Sequence, residues 1–210
     1  MARIKQGILG GFSGRVAGIV GSSWKGIAVM KSLPLSVANP KTAGQVAQRT
    51  KFSNTVAFAG YILSTVIKPL WDRFASQMSG YNDFVKTNLS LFATWKPSVA
   101  ASLIISKGKM AATAIVTALL TAADETITLE WVDDSGEGFK LATDIAYVVV
   151  VNETQEVIEG FETAAIRSDG TVDVLMAADT VALDVVNCYL AFKRADGTVV
   201  SNTAFKLGTF

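Results

Sequence analysis

The spacing of hydrophobic residues changes at Pro97, and this change constrains the fold more than any other feature of the sequence. Beyond it, short β-branched and aromatic runs replace helical spacing. Ile127, Leu129 and Trp131 lie two residues apart, as expected of a strand with one buried face. Residues 146–151 are continuously apolar, which is typical of a central strand. A third strand is predicted to line one face with Val186, Cys188, Leu190 and Phe192.

Turn signals separate these runs and complete the prediction of a β-sandwich. They are Asp134-Ser-Gly136, Asp169-Gly170 and Asp196-Gly197. The last two belong to a short repeat, Arg167-Ser-Asp-Gly-Thr-Val172 and Arg194-Ala-Asp-Gly-Thr-Val199, which we interpret as two similar turns. Six to eight strands in about 110 residues favour a sandwich of immunoglobulin or fibronectin type III character. In such a sandwich we expect Trp131 to be a core residue and Cys188 to be an inert buried thiol.

The first 33 residues predict an extended arm, because their seven glycines from Gly7 to Gly26 are too many for a helix. Arg15–Val20 and Trp24–Lys31 predict two strands joined by a turn at Gly21-Ser22. An isolated two-stranded hairpin is marginal in water, so we expect it to pack on another element or to pair with a neighbouring subunit. The alternative is a flexible tail.

Helices are predicted between the arm and Pro97. Thr42-Ala43-Gly44-Gln45 fits a capping box, so a helix should begin at Thr42. Pro69 should end or kink it. Shorter helices are expected over about 70–78 and 82–92. The predicted buried stripe of the first helix consists of Phe52, Val56, Ala59, Leu63 and Val66, and that of the last consists of Phe84, Val85, Leu89 and Phe92.

Together these patterns predict an α+β protein with two parts. Residues 1–96 would form a basic hairpin arm with helices that serves in assembly or anchoring. Residues 97–210 would form an acidic immunoglobulin-like sandwich. The uncharged stretch Phe52–Ile67 has 16 residues, fewer than the roughly 20 that a membrane span needs, so we expect a buried helix. The N-terminus does not fit a signal peptide, because its apolar stretch is short, glycine-rich and interrupted by Arg15.

The net charge of the chain also changes sign near Pro97. Residues 1–100 contain 12 Lys/Arg and two acids, a net charge of +10, whereas residues 101–210 contain 7 Lys/Arg and 16 acids, a net charge of −9. The first acid is Asp72. We expect the basic half to contact nucleic acid, an anionic surface or the acidic half of another copy. The candidate contact residues are Arg3, Lys5, Arg15, Trp24, Lys25, Lys31, Lys41, Arg49 and Lys51.

Composition argues against an enzyme. The chain has no histidine, the usual general base near neutral pH and the commonest metal ligand, and it has one cysteine, which excludes an internal disulfide. Asp133-Asp134-Ser135-Gly136-Glu137 is interpreted as a solvated turn, with a loose calcium loop as the alternative, because EF-hand spacing is missing. We therefore expect no catalytic residues, no metal site and no cofactor.

Several segments resemble a known family. They are Gly7-Ile-Leu-Gly-Gly-Phe-Ser-Gly-Arg15, Val20-Gly-Ser-Ser-Trp-Lys-Gly26, Ser32-Leu-Pro34, and Asn39-Pro-Lys-Thr42 with Gln45, Gln48-Arg49 and Lys51-Phe52. Over about residues 5–55 the chain resembles a family of uncharacterised proteins from Bacteroidetes and their phages and prophages. That family often has proline in place of Ala43. The resemblance transfers no catalytic residue, but it implies a phage setting and a place in a virion.

Three function hypotheses follow. The first is a structural component of a phage or phage-like virion (capsid-associated, decoration or tail protein) that contacts itself and other virion proteins through its N-terminal arm. The second is a non-specific nucleic-acid-binding protein. The third is a bacterial surface adhesion module. The expected location is the virion, with the bacterial cytoplasm or cell surface as alternatives.

Overall fold

The computed structural model describes residues 3–4, 11–36, 39–121, 125–176 and 184–209. The chain divides into two compact units, residues 1–42 and residues 43–210. We call them the N-terminal unit and the main unit and describe each by itself.

The N-terminal unit is a four-stranded antiparallel sheet whose strands lie side by side in chain order. Three strands form a continuous meander, and a two-residue strand pairs with its first member. The bounds are Arg3–Ile4 for β1, Phe12–Val16 for β2, Ile19–Trp24 for β3 and Ile27–Ser32 for β4. A sheet is therefore present where a hairpin was predicted, but the two predicted strands, Arg15–Val20 and Trp24–Lys31, are wrong, because each of them contains a chain reversal.

The predicted turn at Gly21-Ser22 is wrong. These residues lie inside β3, where Gly21 pairs with Gly14 on one side and with Met30 on the other. The chain reverses at residues 17–18 and 25–26 instead. At the second reversal Lys25 and Gly26 both have positive φ, 48° and 83°, which is typical of a tight two-residue hairpin turn.

Gly21 is required inside the sheet for a packing reason. A Cβ atom at this position would lie 2.4 Å from the backbone oxygen of Phe12 and 2.6 Å from its ring. The glycine thus lets the Phe12 ring lie against the strand. Glycine is needed here for close packing inside a strand, not for a turn.

The first and last helices begin near their predicted starts. The helix predicted over about 70–78 is wrong, because helical structure ends at Trp71 and Gln77 has a positive φ of 61°, which a right-handed helix does not allow. Helix α1 covers Ala43–Tyr61, which places Thr42 at the expected N-cap position. A π-helical segment, Leu63–Ile67, follows directly, and the short helix α2, Lys68–Trp71, contains Pro69. Helix α3 covers Gly80–Asn88, with Ser79 as its N-cap. In the described part of the chain, no helix is long and apolar enough to cross a membrane.

The predicted stripe of α1 is right except for its first member. Ala59 and Val66 are fully buried, and Val56 and Leu63 are partly buried against the same core, whereas Phe52 is 54% exposed. The buried face is wider than predicted, because Thr55, Phe58 and Ile62 are buried as well. In the π-helical segment the Ile67 N–H donates to the Ile62 carbonyl five residues back. For α3 the prediction holds, because Phe84, Val85 and Phe92 are buried.

Seven strands of the main unit form two antiparallel sheets. Their bounds are Ile115–Thr121 for β5, Thr126–Trp131 for β6, Ile145–Asn152 for β7, Val157–Ile166 for β8, Thr171–Leu175 for β9, Val186–Lys193 for β10 and Ala204–Leu207 for β11. One sheet has the order β11-β10-β7-β8 and the other β5-β6-β9. After β11, Thr209 bridges in parallel to Leu119, so the C-terminal segment links the two sheets.

Strand β7 explains how the main unit is layered. Val148 and Val150 face the second sheet, whereas Tyr147 and Val149 face the helices. In β10, Cys188 likewise faces the second sheet and Tyr189 faces the helices. The main unit therefore has three layers, which are the helices, the four-stranded sheet and the three-stranded sheet. This position accounts for the continuous apolar run that predicted a central strand.

The helices consequently share a core with the four-stranded sheet. Phe58, Ile62 and Trp71 pack in one cluster with Tyr147 and Tyr189. The change from helices to strands does fall near Pro97, but the boundary between compact units falls at residues 42 and 43. The grouping of residues 1–96 as one attachment module remains a prediction about function.

Candidate assembly surface and a buried ionic cluster

The two faces of the N-terminal sheet have different chemistry. Paired residues in an antiparallel sheet share a face, and the register places Arg15, Val20 and Lys31 in one row. Trp24, paired with Ile27, lies four residues from Val20 and so on the same face. We call this the basic face.

The opposite face consists of apolar residues, glycines and serines. Val16 pairs with Ile19, and Gly14, Gly21 and Met30 form the next row. We call this the glycine face. A cavity of about 560 Å³ in the same unit is lined by residues without titratable side chains, namely Gly11, Phe12, Ser13, Ser22, Ser23, Gly26 and Ala28.

Large hydrophobic side chains are exposed on both faces. Trp24 is 65% and Ile27 61% exposed on the basic face, and Met30 is 68% exposed on the glycine face. Every residue of β4 is exposed. Trp24 is partly covered by a cation, because the Lys25 Nζ lies 5.1 Å from the centre of its ring.

The predicted contact residues are divided between the two units. Arg15, Trp24, Lys25 and Lys31 lie together on the N-terminal sheet, and β1 contains Arg3. Exposed Lys41 precedes α1, which carries exposed Arg49 and half-buried Lys51. Lys5 lies outside the described residues. The structure thus brings five of the nine candidates into one small sheet.

A second polar centre lies inside the main unit, around Arg167. This side chain is fully buried. Its Nη1 lies 2.5 Å from Asp134 Oδ1, and its Nε lies 3.2 Å from Asp144 Oδ2. Further contacts are a hydrogen bond to Thr113, one to Met110 Sδ at 2.9 Å, and the Phe192 ring, whose centre lies 4.0 Å from the guanidinium carbon. Lys140 completes the cluster with an ion pair to Asp134.

The electrostatics of this cluster are those of a structural ion-pair network. Burial alone would raise the pKa of Asp134, but hydrogen bonds from Lys140, Arg167 and Thr113 outweigh it, and the pKa lies below its usual value. The cations therefore occupy the Asp134 oxygens that a calcium ion would need. Among the described residues, no group of three or more His, Cys, Asp or Glu side chains is arranged to hold a metal.

Sequence reasoning missed the cluster because its members are distant along the chain. Arg167 lies 23 residues from Asp144, 33 from Asp134 and 54 from Thr113. The predicted solvated turn at residues 133–137 is therefore only half right, since Asp134 points inward. Trp131 is a core residue as predicted: it is 4% exposed, its Nε1 donates to the Arg167 carbonyl at 2.8 Å, and its ring meets Phe192 edge-on.

The protein has a mixed α+β fold with an N-terminal sheet, helices and two antiparallel sheets. The α+β fold class predicted from the sequence is therefore confirmed. Residues 11–208 match the model of a family of unknown function (DUF6266), and the chain belongs to this family. The expectation of membership in an uncharacterised family is thereby confirmed. Searches of curated proteins and of solved structures gave no match.

Proposed function

We propose that this protein is a structural subunit that assembles through its N-terminal sheet, and that the assembly is a phage or phage-like particle. The observation that carries the proposal is the exposure of large apolar side chains on both faces of that sheet. A sheet gains stability from a buried hydrophobic face, and here neither face is fully covered.

The magnitudes support assembly through several contacts. Burying one large apolar side chain contributes about 1.5–3 kcal/mol relative to leaving it exposed. Trp24, Ile27 and Met30 are already about one third covered, so each retains roughly 1–2 kcal/mol of this gain. Association costs about 4–15 kcal/mol, so a contact that buries these side chains on both copies is of the right order to be stable.

The assignment to a phage particle rests on two arguments. One is the resemblance to proteins of Bacteroidetes phages and prophages, and the other is the proposal that the two sheets of the main unit form an immunoglobulin-like sandwich. Its first, second and fifth strands form one sheet, and its seventh, sixth, third and fourth form the other. This order supports an immunoglobulin or fibronectin type III topology, with strands A-B-E facing G-F-C and a C′ strand at the edge. Such a domain would be displayed while the N-terminal sheet anchors the subunit.

Light scattering of the purified full chain over a range of concentrations tests self-assembly. We expect a stable oligomer in the wild type, which Trp24→Ser with Met30→Ser converts to smaller species. Leu175→Ser is the matched control, because Leu175 is 64% exposed on β9 of the main unit. A wild-type monomer at all concentrations would contradict the proposal.

The particle itself has a separate test. If genes for portal, terminase or tail proteins flank this one, induced particles can be purified and their peptides identified by mass spectrometry. We expect this protein in stoichiometric amounts, and its absence from particles would overturn the assignment to a virion.

Nucleic-acid binding is a second candidate, and one observation favours it. Arg15, Lys31 and Trp24 share the basic face, so a phosphate backbone could meet cations beside an aromatic ring. The test is retention of single-stranded and duplex DNA by the full chain as salt is raised. Retention should fall steeply with salt and should weaken in Arg15→Gln with Lys31→Gln. Failure to bind at low salt would exclude this function.

A further inference from the structure

The outer edge of β4 offers unpaired backbone groups whose positions can be assigned. The Leu33 N–H donates to the Gly18 carbonyl at 2.7 Å, which makes residues 18 and 33 a hydrogen-bonded pair in the β3–β4 register. Hydrogen-bonded and non-hydrogen-bonded pairs alternate in an antiparallel ladder. The backbone N–H and C=O groups of Ala28, Met30 and Ser32 therefore point away from β3, toward the open edge.

This edge lacks the usual devices that prevent strands from pairing. β4 contains no proline, its register with β3 is regular over six pairs, and its one charged residue is Lys31. Among the residues that the structure describes, no strand pairs with this edge. An exposed and mostly apolar edge of this kind is a template for another strand.

We propose that β4 pairs antiparallel with β4 of a second copy, around a two-fold axis at Met30. This inference rests on the proposed function and names the contact through which the N-terminal sheet assembles. In this arrangement Met30 lies opposite Met30 of the second copy, and Ala28 lies opposite Ser32. Three hydrogen-bonded pairs then satisfy all the outward groups of these residues in both copies.

The side chains of β4 fit a copy of the same strand. On the glycine face, the bulky Met30 pair is flanked by pairs of the small Ala28 and Ser32. On the basic face, Lys31 lies opposite Val29 of the second copy, so no like charges are directly opposed. An axis centred on Lys31 would instead place two lysines opposite each other. The two-fold axis at Met30 is the register that satisfies both the backbone and the charges.

Charge also predicts how salt acts on this contact. Residues 1–42 contain six Lys/Arg and no acid, so two such units repel each other. The two Lys31 side chains lie diagonally, about 7–8 Å apart at the backbone. Because salt screens this repulsion, the dimer should become tighter as the salt concentration rises. Contact with an acidic partner would weaken under the same change.

Engineered cysteines in the full chain test the register. Opposed residues in a hydrogen-bonded pair have Cα atoms about 5.5 Å apart, which a disulfide can span. We expect Met30→Cys to form a disulfide-linked dimer under mild oxidation at least tenfold faster than Val29→Cys. The two residues 29 are not directly opposed in the proposed pairing, because each is displaced from the other by two residues along the strand. Ala28→Cys should cross-link with Ser32→Cys when the two proteins are mixed. Buried Cys188 does not compete, since burial raises the pKa of its thiol to about 12.

Proline provides a test without cross-linking. Met30→Pro removes an outward N–H and leaves the β3–β4 hydrogen bonds in place, so it should abolish dimers while the hairpin stays folded. Val29→Pro removes an inward N–H and should disrupt the hairpin itself. Met30→Leu is the control for the side chain and should leave the dimer intact.

The outcomes separate this inference from the proposed function. A wild-type monomer in light scattering would overturn both. An oligomer in which Met30→Cys cross-links no faster than Val29→Cys, or which dissociates as salt is raised, would overturn the β4 contact and leave assembly standing. Fast cross-linking at residue 30, loss of the dimer in Met30→Pro and tightening with salt are the results expected.

Discussion

At the scale of single residues, two arginines in the same sequence context have different environments. Arg167 and Arg194 each begin an Arg-x-Asp-Gly-Thr-Val segment, and each segment forms a turn in which the glycine has positive φ, 70° at Gly170 and 69° at Gly197. The prediction of two similar turns is thus confirmed. Yet Arg167 is buried among two aspartates, whereas Arg194 is partly exposed and donates to the Phe139 carbonyl.

This contrast gives a matched pair of substitutions. Arg167→Met leaves Asp134 and Asp144 inside the main unit without their guanidinium, so we expect it to lower the free energy of unfolding by about 3–5 kcal/mol. Arg194→Met should lower it by less than about 1 kcal/mol. Urea unfolding followed by tryptophan fluorescence measures both. Equal effects of the two substitutions would show that the buried network does not stabilise the fold.

The lowered pKa of Asp134 predicts a pH dependence. Because the folded chain holds this carboxylate more acidic than the unfolded chain does, its contribution is complete above the usual value of 3.8 and is lost as pH falls through the folded pKa. The free energy of unfolding should therefore fall as the pH is lowered below about 4. In Asp134→Asn this slope should be shallower, as urea unfolding at several pH values would reveal. An unchanged slope would mean that other carboxylates cause the acid sensitivity.

At the scale of elements, the sequence predicted the burial of the strands and most of the buried face of α1. The alternation in β6 and the apolar run in β7 each reflect burial of the strand itself, and both predictions are confirmed. The stripe of α1 was predicted except for Phe52, which is exposed, and for Phe58 and Ile62, which are buried beside it. Which residues at the margin of a helical stripe are buried depends on contacts with neighbouring elements such as β8, and residue spacing does not show these contacts. The π-helical segment, with its extra residue per turn, also has no signature in residue spacing.

The packing of this segment on β8 can be tested with two glycines. A Cβ at Gly160 would lie 2.7 Å from Thr65 Oγ1 and 3.0 Å from Ile62 Cγ2, whereas one at Gly60 would have no atom within 4 Å. Gly160→Ala should therefore cost about 1–3 kcal/mol of unfolding free energy. Gly60→Ala, in α1, should gain up to about 1 kcal/mol. Thermal melts of both variants check this, and a Gly160→Ala protein as stable as wild type would contradict the close approach.

At the scale of the whole molecule, the sequence predicted the classes of structure along the chain but not how they group. Local patterns mark where helices end and strands begin, so the transition near Pro97 was accessible. Whether the helices pack on the arm or on a sheet depends on which side chains share a core, as Phe58 and Tyr147 do, and no local pattern encodes this. The candidate basic residues were chosen by charge alone, and charge cannot indicate that Arg15 and Lys31 share a row while Arg49 and Lys51 belong to another unit.

Amide hydrogen exchange of the full chain at low and high protein concentration tests the central claim, that the N-terminal sheet is the assembly surface. We predict that amides in residues 11–32 exchange more slowly as concentration rises, most of all those of β4, while β6 in the main unit is unchanged. An oligomer that forms without added protection in residues 11–32 would contradict the account.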